Sequence, residues 1–298
     1  MKKVIILFTS IIITPVIITS CSKTASTSIV EVTAKDYYFQ MQDSIPSGWI
    51  TFRFINNGHA THFFSLTLLP ESVSFQNYLS DIAPAFSAAW DTLQAGATKG
   101  VAGSVLGGLL PKWYASAKYM GGAGLTEMGK TSETTIKLIP GNYVMECYIK
   151  TPDGKFHGEL GMIRPLTVTD EVSKSIEPVE ADIEINLSNL KLEVNGNITS
   201  GMHKVAVHFN EQPAFGLGND VHLVRLNDNT NLNKVIEWMD WMNINGLRSP
   251  APAEFFGGTQ EMPAGNTSYF YIELTPGRYA WISEINADKG MVKEFRID

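Results

Sequence analysis

Three side chains that bind soft metal ions lie close together within residues 141–168. Cys147 comes first, His157 follows in the same connection, and Met162 comes shortly after His157. A thiolate, an imidazole and a thioether suit copper, and a trigonal set of two histidines and one cysteine with a distant methionine serves electron transfer. This segment therefore predicts a copper site that still lacks one histidine.

The missing imidazole is expected from residues 56–69, which read NNGHATHFFSLTLL. His62 and His59 are the two candidates, three positions apart. We prefer His62, because an internal repeat described below keeps a histidine opposite it (His222) and places Asn219 opposite His59.

These residues together resemble the metal site of the cupredoxins, the family of type 1 blue copper proteins. In that family the first histidine opens a middle strand, and the cysteine, second histidine and methionine close the site from the last loop. The resemblance implies one type 1 copper with His62, Cys147 and His157 as equatorial ligands and Met162 as weak axial ligand. It also implies that Asn57 braces the cysteine loop from outside the ligand set.

The hydrophobic pattern indicates an all-β chain. Alternation with a period of two predicts strands over residues 29–34, 49–55, 63–69, 134–139, 142–150 and 163–169, with a turn at 45–48. Residues 74–90 predict a helix that Pro84 interrupts, and the glycine-rich run 95–108 predicts a flexible insertion over the site end of the fold.

After a charged linker at 171–178 the pattern starts again. The matched pairs are Val30 with Ile183, Gly48 with Gly201, Gly141 with Gly277, Cys147 with Ser283, and Met162 with Met291. We therefore predict two tandem Greek-key β-sandwich domains, at 29–170 and 179–298, with the helical and glycine-rich insertion in the first. Because Ser283 replaces the thiolate, the second copy is expected to bind no copper.

Charge and histidine content limit the possible functions. The net charge is −7 without a basic run, which disfavours binding to nucleic acids or to anionic membranes by charge. Multicopper oxidases bracket the cysteine with histidines, and two-domain nitrite reductases place one just before it. Here Glu146 and Tyr148 stand beside Cys147, and the chain has six histidines in all. We therefore expect no enzymatic activity.

Two functions stay open at this point. The first is single-electron transfer or copper carriage, with a redox protein or a copper donor or acceptor as partner. The alternative is a metal-free interaction module in which the glycine-rich insertion and residues 238–242 (WMDWM) contact another protein.

The start of the chain reads as an export signal. Lys2 and Lys3 precede an apolar run that ends at Cys21, and the Ser/Thr-rich stretch SKTASTS follows. This resembles a bacterial lipoprotein signal, which implies a signal peptide at 1–20, acylation of Cys21 and a tether at 21–28. The expected location is the cell envelope, as a periplasmic or outer-membrane lipoprotein held by its lipid. Cys147 would then have no cysteine partner in the chain.

We predict that Cys21→Ala releases the protein from the membrane fraction, because the acyl anchor rather than charge holds it there. Fractionation and immunoblotting of the signal-cleaved protein measure the effect. Membrane retention of that cleaved variant would contradict the lipoprotein interpretation.

Overall fold

The computed structural model describes residues 29–213, 217–284 and 286–298. The predicted signal peptide, Cys21 and the tether lie outside this range. Within it, none of the helices combines the length and the apolar character needed to cross a membrane.

The described chain is mainly β-structure. Its strands are β1 (Ile29–Lys35), β2 (Tyr38–Gln40), β3 (Ser44–Asn56), β4 (Ser65–Leu68), β5 (Lys118–Tyr119), β6 (Thr131–Leu138), β7 (Gly141–Glu146), β8 (Ile163–Val172), β9 (Ile183–Ser188), β10 (Lys191–Gly196), β11 (Gly201–Phe209), β12 (Val221–Leu226), β13 (Glu254–Thr259), β14 (Asn266–Leu274), β15 (Gly277–Ile282) and β16 (Val292–Ile297). The helices are α1 (Phe75–Gln94), α2 (Lys99–Leu109) and α3 (Leu232–Met239).

The strands form one long sheet and one four-stranded sheet. The long sheet has the order β10-β9-β11-β14-β6-β3-β8-β7-β4-β5, with β1 paired to both β2 and β3. The other sheet has the order β13-β12-β15-β16. Their apolar faces share one hydrophobic core, so the expected all-β sandwich architecture is correct.

Strand β3 pairs with β1, β6 and β8, and it bends between the residues that pair with β8 and those that pair with β6. Its first residues, Ser44–Ser47, pair with β8, and the residues from Gly48 onward pair with β6. Gly48 has φ +91°, a backbone conformation that residues with a Cβ rarely adopt, so the strand changes partner there. The turn predicted at 45–48 is therefore wrong, because this segment is a continuous strand with a glycine bend.

The helical and glycine-rich insertion of the first half differs from its prediction in two ways. Pro84 does not interrupt α1, since its ring lies on the exposed side while Tyr78, Ile82 and Trp90 bury the opposite face. The glycine-rich run is also not an irregular insertion, because Lys99–Leu109 form helix α2 with Thr98 as its N-cap. Helix α2 packs against α1 and buries Ala102, and this packing outweighs the low helix propensity of glycine.

The two halves of the chain are joined by backbone contacts. Strand β14 pairs with β6 through Tyr269–Tyr271 and Glu133–Thr135, which makes the long sheet continuous across both halves. Close by, the Gly124 N–H donates to the Gly258 carbonyl at 3.1 Å. A Cβ added at Gly124 would lie 2.6 Å from the Gly258 nitrogen, so this junction requires a glycine.

We predict that Gly124→Ala lowers the free energy of unfolding by about 1–3 kcal/mol, as an overpacked contact does. The matched control is Gly107→Ala in α2, where an added Cβ meets nothing within 4 Å. That change should be neutral or stabilise by about 0.5–1 kcal/mol. Urea unfolding followed by circular dichroism measures both, and equal effects would contradict the role of the junction.

Candidate metal centre

His62, Cys147 and His157 meet in one buried triangle. The Cys147 Sγ lies 3.8 Å from the Nδ1 atom of each histidine, and the two Nδ1 atoms are 3.2 Å apart. The relative exposure of these residues is 0%, 0% and 1%. The structure thus brings together three side chains that lie up to 95 positions apart in the chain.

The dimensions of this triangle fit one small metal ion. Bonds of about 2.0 Å to imidazole nitrogen and about 2.3 Å to thiolate sulfur are usual for a first-row metal such as zinc. At trigonal angles these lengths separate nitrogen from sulfur by about 3.7 Å and the two nitrogens by about 3.5 Å. The observed separations agree with these values to within a few tenths of an ångström, and two imidazoles with one thiolate suit copper.

Asp36 sets the orientation of His62. The His62 Nε2 donates a hydrogen bond to the Asp36 Oδ1 at 2.7 Å, which leaves the lone pair on Nδ1, the atom that faces Cys147. A Cβ at Gly58 would lie 2.5 Å from that Nε2, so only glycine leaves room for the pair. Burial lowers the pKa of His62, which keeps the ring neutral and able to bind metal.

Cys147 and Met162 are connected through the backbone. The Cys147 N–H donates to the Met162 carbonyl at 3.0 Å, directly beyond the end of β7, and the Met162 N–H donates to the His157 carbonyl at 2.9 Å. Met162 is fully buried. Burial raises the pKa of the Cys147 thiol to about 12, so metal binding must displace a proton from the sulfur.

His157 begins a 3₁₀ turn that ends before Gly161. Its N–H donates to the Ile149 carbonyl at 2.8 Å, and its ring centroid lies 4.7 Å from that of Tyr37. Burial, followed by the nearby His62, lowers the pKa of His157 to about 3, so the imidazole is neutral over the physiological range. The residue also lines a surface pocket of about 300 Å³, which brings the triangle close to solvent on one side.

Two other predicted residues lie outside the triangle. The His59 side chain is 91% exposed, and its Nδ1 is paired with the Asp36 Oδ2 at 2.8 Å. The side chain of Asn57 is exposed, so the bracing role predicted for it does not fit this structure. The buried asparagine is its neighbour Asn56, whose Nδ2 donates to the Ala60 and Thr126 carbonyls at 2.8 Å each.

Helix α1 holds the long connection between Cys147 and His157. The Trp90 Nε1 donates to the Gly154 carbonyl at 2.7 Å, and the Trp90 ring packs at 6.1 Å from Phe156. On the same helix, the Tyr78 hydroxyl donates to the Glu146 Oε1 at 2.5 Å. The insertion therefore orders the loop that carries the second histidine.

The second half of the chain holds the same loop from another side. The Lys150 N–H donates to the Leu247 carbonyl at 2.7 Å, and the Lys150 carbonyl accepts from the Ser249 N–H at 2.8 Å. The Lys150 Nζ donates to the Trp241 carbonyl at 2.7 Å and lies 3.6 Å from the centroid of the Trp90 ring. The loop is thus fixed between α1 and residues 241–249.

The positions that match the triangle in the second half carry a different set. Ser283 donates its N–H to the Met291 carbonyl at 3.0 Å, as Cys147 does to Met162. Its hydroxyl donates to the Asp220 Oδ1 at 2.9 Å, and His222 contacts the same carboxylate through Nε2 at 2.9 Å. A hydroxyl therefore stands in place of the thiolate, and His222, which matches His62, is paired with a carboxylate.

Sequence reasoning missed Asp36, Asn56 and the contacts of Lys150. Asp36 lies in a polar turn before a short strand, and nothing in its local pattern distinguishes it from a surface aspartate. Its role becomes visible only in the folded chain, which brings Asp36 into contact with His62, 26 positions away in the sequence.

Comparisons with known proteins found likenesses among solved structures alone. No protein-family model matches this sequence, and no curated protein matches it. Auracyanin A, a blue copper protein from Chloroflexus aurantiacus, is 22% identical, with 48% of this chain and 99% of that chain covered and a TM-score of 0.29. Auracyanin B is 20% identical over 48% of this chain and 88% of that chain, with a TM-score of 0.28.

A multicopper oxidase structure covers more of the chain. It is 12% identical over 91% of this chain and 88% of that chain, with a TM-score of 0.23. Because these identities and scores are low, the function is argued below from the side-chain geometry.

We predict that Asp36→Asn weakens copper binding by about 10–100-fold, the usual effect of removing a partner that orients a metal-binding histidine. The control is His59→Ala, which removes the exposed partner of the other Asp36 oxygen and should leave the affinity unchanged. Competition with a chelator of known affinity measures both. A loss in His59→Ala with none in Asp36→Asn would contradict this assignment.

Proposed function

We propose that the first half of this chain binds one copper ion in a type 1 site and transfers single electrons. His62, Cys147 and His157 are the equatorial ligands, and Met162 is the axial ligand. The observation that carries the proposal is the buried triangle formed by one Sγ and two Nδ1 atoms, at 3.8, 3.8 and 3.2 Å. Copper, when bound, supplies one-electron chemistry.

The protein supplies a rigid and water-free site for that chemistry. Backbone hydrogen bonds hold the main chain at each of the three ligand residues, and Asp36 fixes the orientation of the His62 ring. Such a site keeps nearly the same geometry in both oxidation states, which favours rapid electron exchange. His157 lines the surface pocket and is therefore the ligand on the side from which a redox partner would approach.

Electron transfer is favoured over copper carriage by the burial of the ligands. A carrier must release its metal to another protein, which requires an accessible ligand. Here His62 and Cys147 have no exposed surface and His157 has 1%. The partner we propose is therefore a redox protein. A copper donor would act only once, when it delivers the metal to the empty site.

The alternative of a metal-free interaction module loses one of its two contact surfaces. That hypothesis requires residues 238–242 to contact a partner, yet Trp238, Met239 and Trp241 are buried. Trp241 packs against Phe86 at 5.4 Å between ring centroids, inside the molecule. These residues serve the core rather than an external contact.

The proposed setting is the cell envelope, as an exported lipoprotein acylated at Cys21. The second half would bind no type 1 copper, since Ser283 stands in place of the cysteine. Its proposed role is to hold the Cys147–His157 loop through the contacts of Lys150 described above.

We predict one Cu(II) per chain and a strong visible band from the copper–thiolate bond. Cys147→Ser should abolish the band, and His62→Ala or His157→Ala should weaken copper retention by opening the site. Met162→Leu should keep the copper and raise the reduction potential, because loss of a weak axial donor destabilises Cu(II) more than Cu(I). Titration with Cu(II), followed by visible and paramagnetic spectroscopy, measures these effects.

His59→Ala is the matched control and should leave the spectrum unchanged. The proposal fails if the wild type takes up no stoichiometric copper, or if Cys147→Ser is coloured like the wild type. Reversible reduction and reoxidation with full copper retention support electron transfer. Rapid removal of the metal by a mild Cu(I) chelator would instead indicate carriage.

A further inference from the structure

A second polar cavity lies between the two halves of the molecule, away from the copper triangle. Tyr148 lines it from the first half, and Asp220, Gln260, Glu261 and Glu284 line it from the second. Its volume is about 10 Å³, which is room for a single water-sized particle. Three carboxyl groups therefore surround a space that one small ion would fill.

Asp220 is held in place by three donors. Its Oδ1 accepts from the Ser283 hydroxyl at 2.9 Å and from the Glu284 N–H at 2.7 Å, and its Oδ2 accepts from the His222 Nε2 at 2.9 Å. The other His222 nitrogen, Nδ1, accepts from the Leu125 N–H at 3.1 Å. Because both ring nitrogens are engaged, His222 positions Asp220 and is not itself a free ligand.

Two buried side chains that line this cavity carry polar atoms without a hydrogen-bond partner among the described residues. Glu284 is 4% exposed; its Oε2 accepts from the Tyr148 hydroxyl at 3.0 Å, whereas its Oε1 has no hydrogen-bond partner among the described residues. Gln260 is 2% exposed, and its Nε2 is likewise unpartnered within the described part of the chain. Rotation of that amide by half a turn presents its oxygen instead. Unsatisfied buried groups on a cavity wall point to a bound species.

The charge balance at the cavity also calls for a cation. In the described structure neither Glu261 nor Glu284 forms an ion pair with lysine or arginine. Burial, with Asp220 nearby, raises the pKa of Glu261 to about 8 and that of Glu284 well above its ordinary value. A bound cation would stabilise the ionised carboxylates and so offset both the burial and, to a lesser extent, the repulsion from Asp220 that raise these pKa values.

We propose that Asp220, Glu261 and Glu284, with the amide oxygen of Gln260, bind one hard divalent cation such as Mg²⁺, Ca²⁺ or Mn²⁺. Carboxylate and amide oxygens are the ligands that these ions prefer, in contrast to the sulfur and imidazole of the copper triangle. One oxygen of Glu284 and one of Asp220 already lie within 4.8 Å of each other. The site does not depend on copper binding, although Tyr148, next to Cys147, contacts Glu284.

The test is calorimetric titration of copper-free, full-length protein with Mn²⁺, repeated with Ca²⁺ and Mg²⁺. We expect one site per chain for at least one of these ions and a melting temperature that rises with its concentration. Glu284→Gln should weaken binding at least tenfold. Glu146→Gln is the matched control, since Glu146 also accepts from a buried tyrosine but lies outside the cavity, and it should bind as the wild type does.

Cys147→Ser separates the two sites and should retain the Mn²⁺ site unchanged. Circular dichroism shows whether Glu284→Gln folds. If it does not, the proposal is tested by the affinity of Glu261→Gln and by the dependence of the wild-type melting temperature on the ion concentration. The proposal is overturned if the wild type binds none of the three ions. It is equally overturned if folded Glu284→Gln binds like the wild type, or if Cys147→Ser abolishes the site.

Discussion

The hydrogen bond between Asp36 and His62 decides whether the buried triangle can act as a metal site. It places the proton of the neutral imidazole on Nε2 and so leaves the lone pair on the nitrogen that faces Cys147. With the opposite tautomer, a proton would occupy the space meant for the metal. Gly58 makes the contact possible, because any Cβ there would collide with the ring.

Burial has two effects on this site that act together. It lowers the pKa values of both histidines, which keeps them neutral and ready to bind, and it raises that of Cys147, which keeps the sulfur protonated without a metal. A metal ion bound at the proposed site would therefore replace a proton on the sulfur. Copper binding should weaken in acid for this reason, since protons compete for the thiolate.

The second half of the molecule differs from the first mainly in what occupies the matching positions. The backbone contact of Ser283 with Met291 repeats that of Cys147 with Met162, while the side chains around it have become acidic and hydrogen-bonded. The same half supplies the strand that extends the long sheet and the segment that holds Lys150. The second half thus keeps the backbone framework of the candidate metal centre and also supports the Cys147–His157 loop.

The sequence by itself determined the residue types of the candidate site and much of the secondary structure. Cys147, His157 and Met162 lie in one connection, and strand alternation depends only on near neighbours, so both features can be read locally. The internal repeat already favoured His62 over His59, and His62 is the histidine that reaches the triangle. Only the tertiary structure decided that Asp36 orients it. It also decided that Asn56 rather than Asn57 is buried, and that glycine-rich residues form α2. These features arise from contacts between distant segments, where burial and packing outweigh the local preferences that a sequence pattern records.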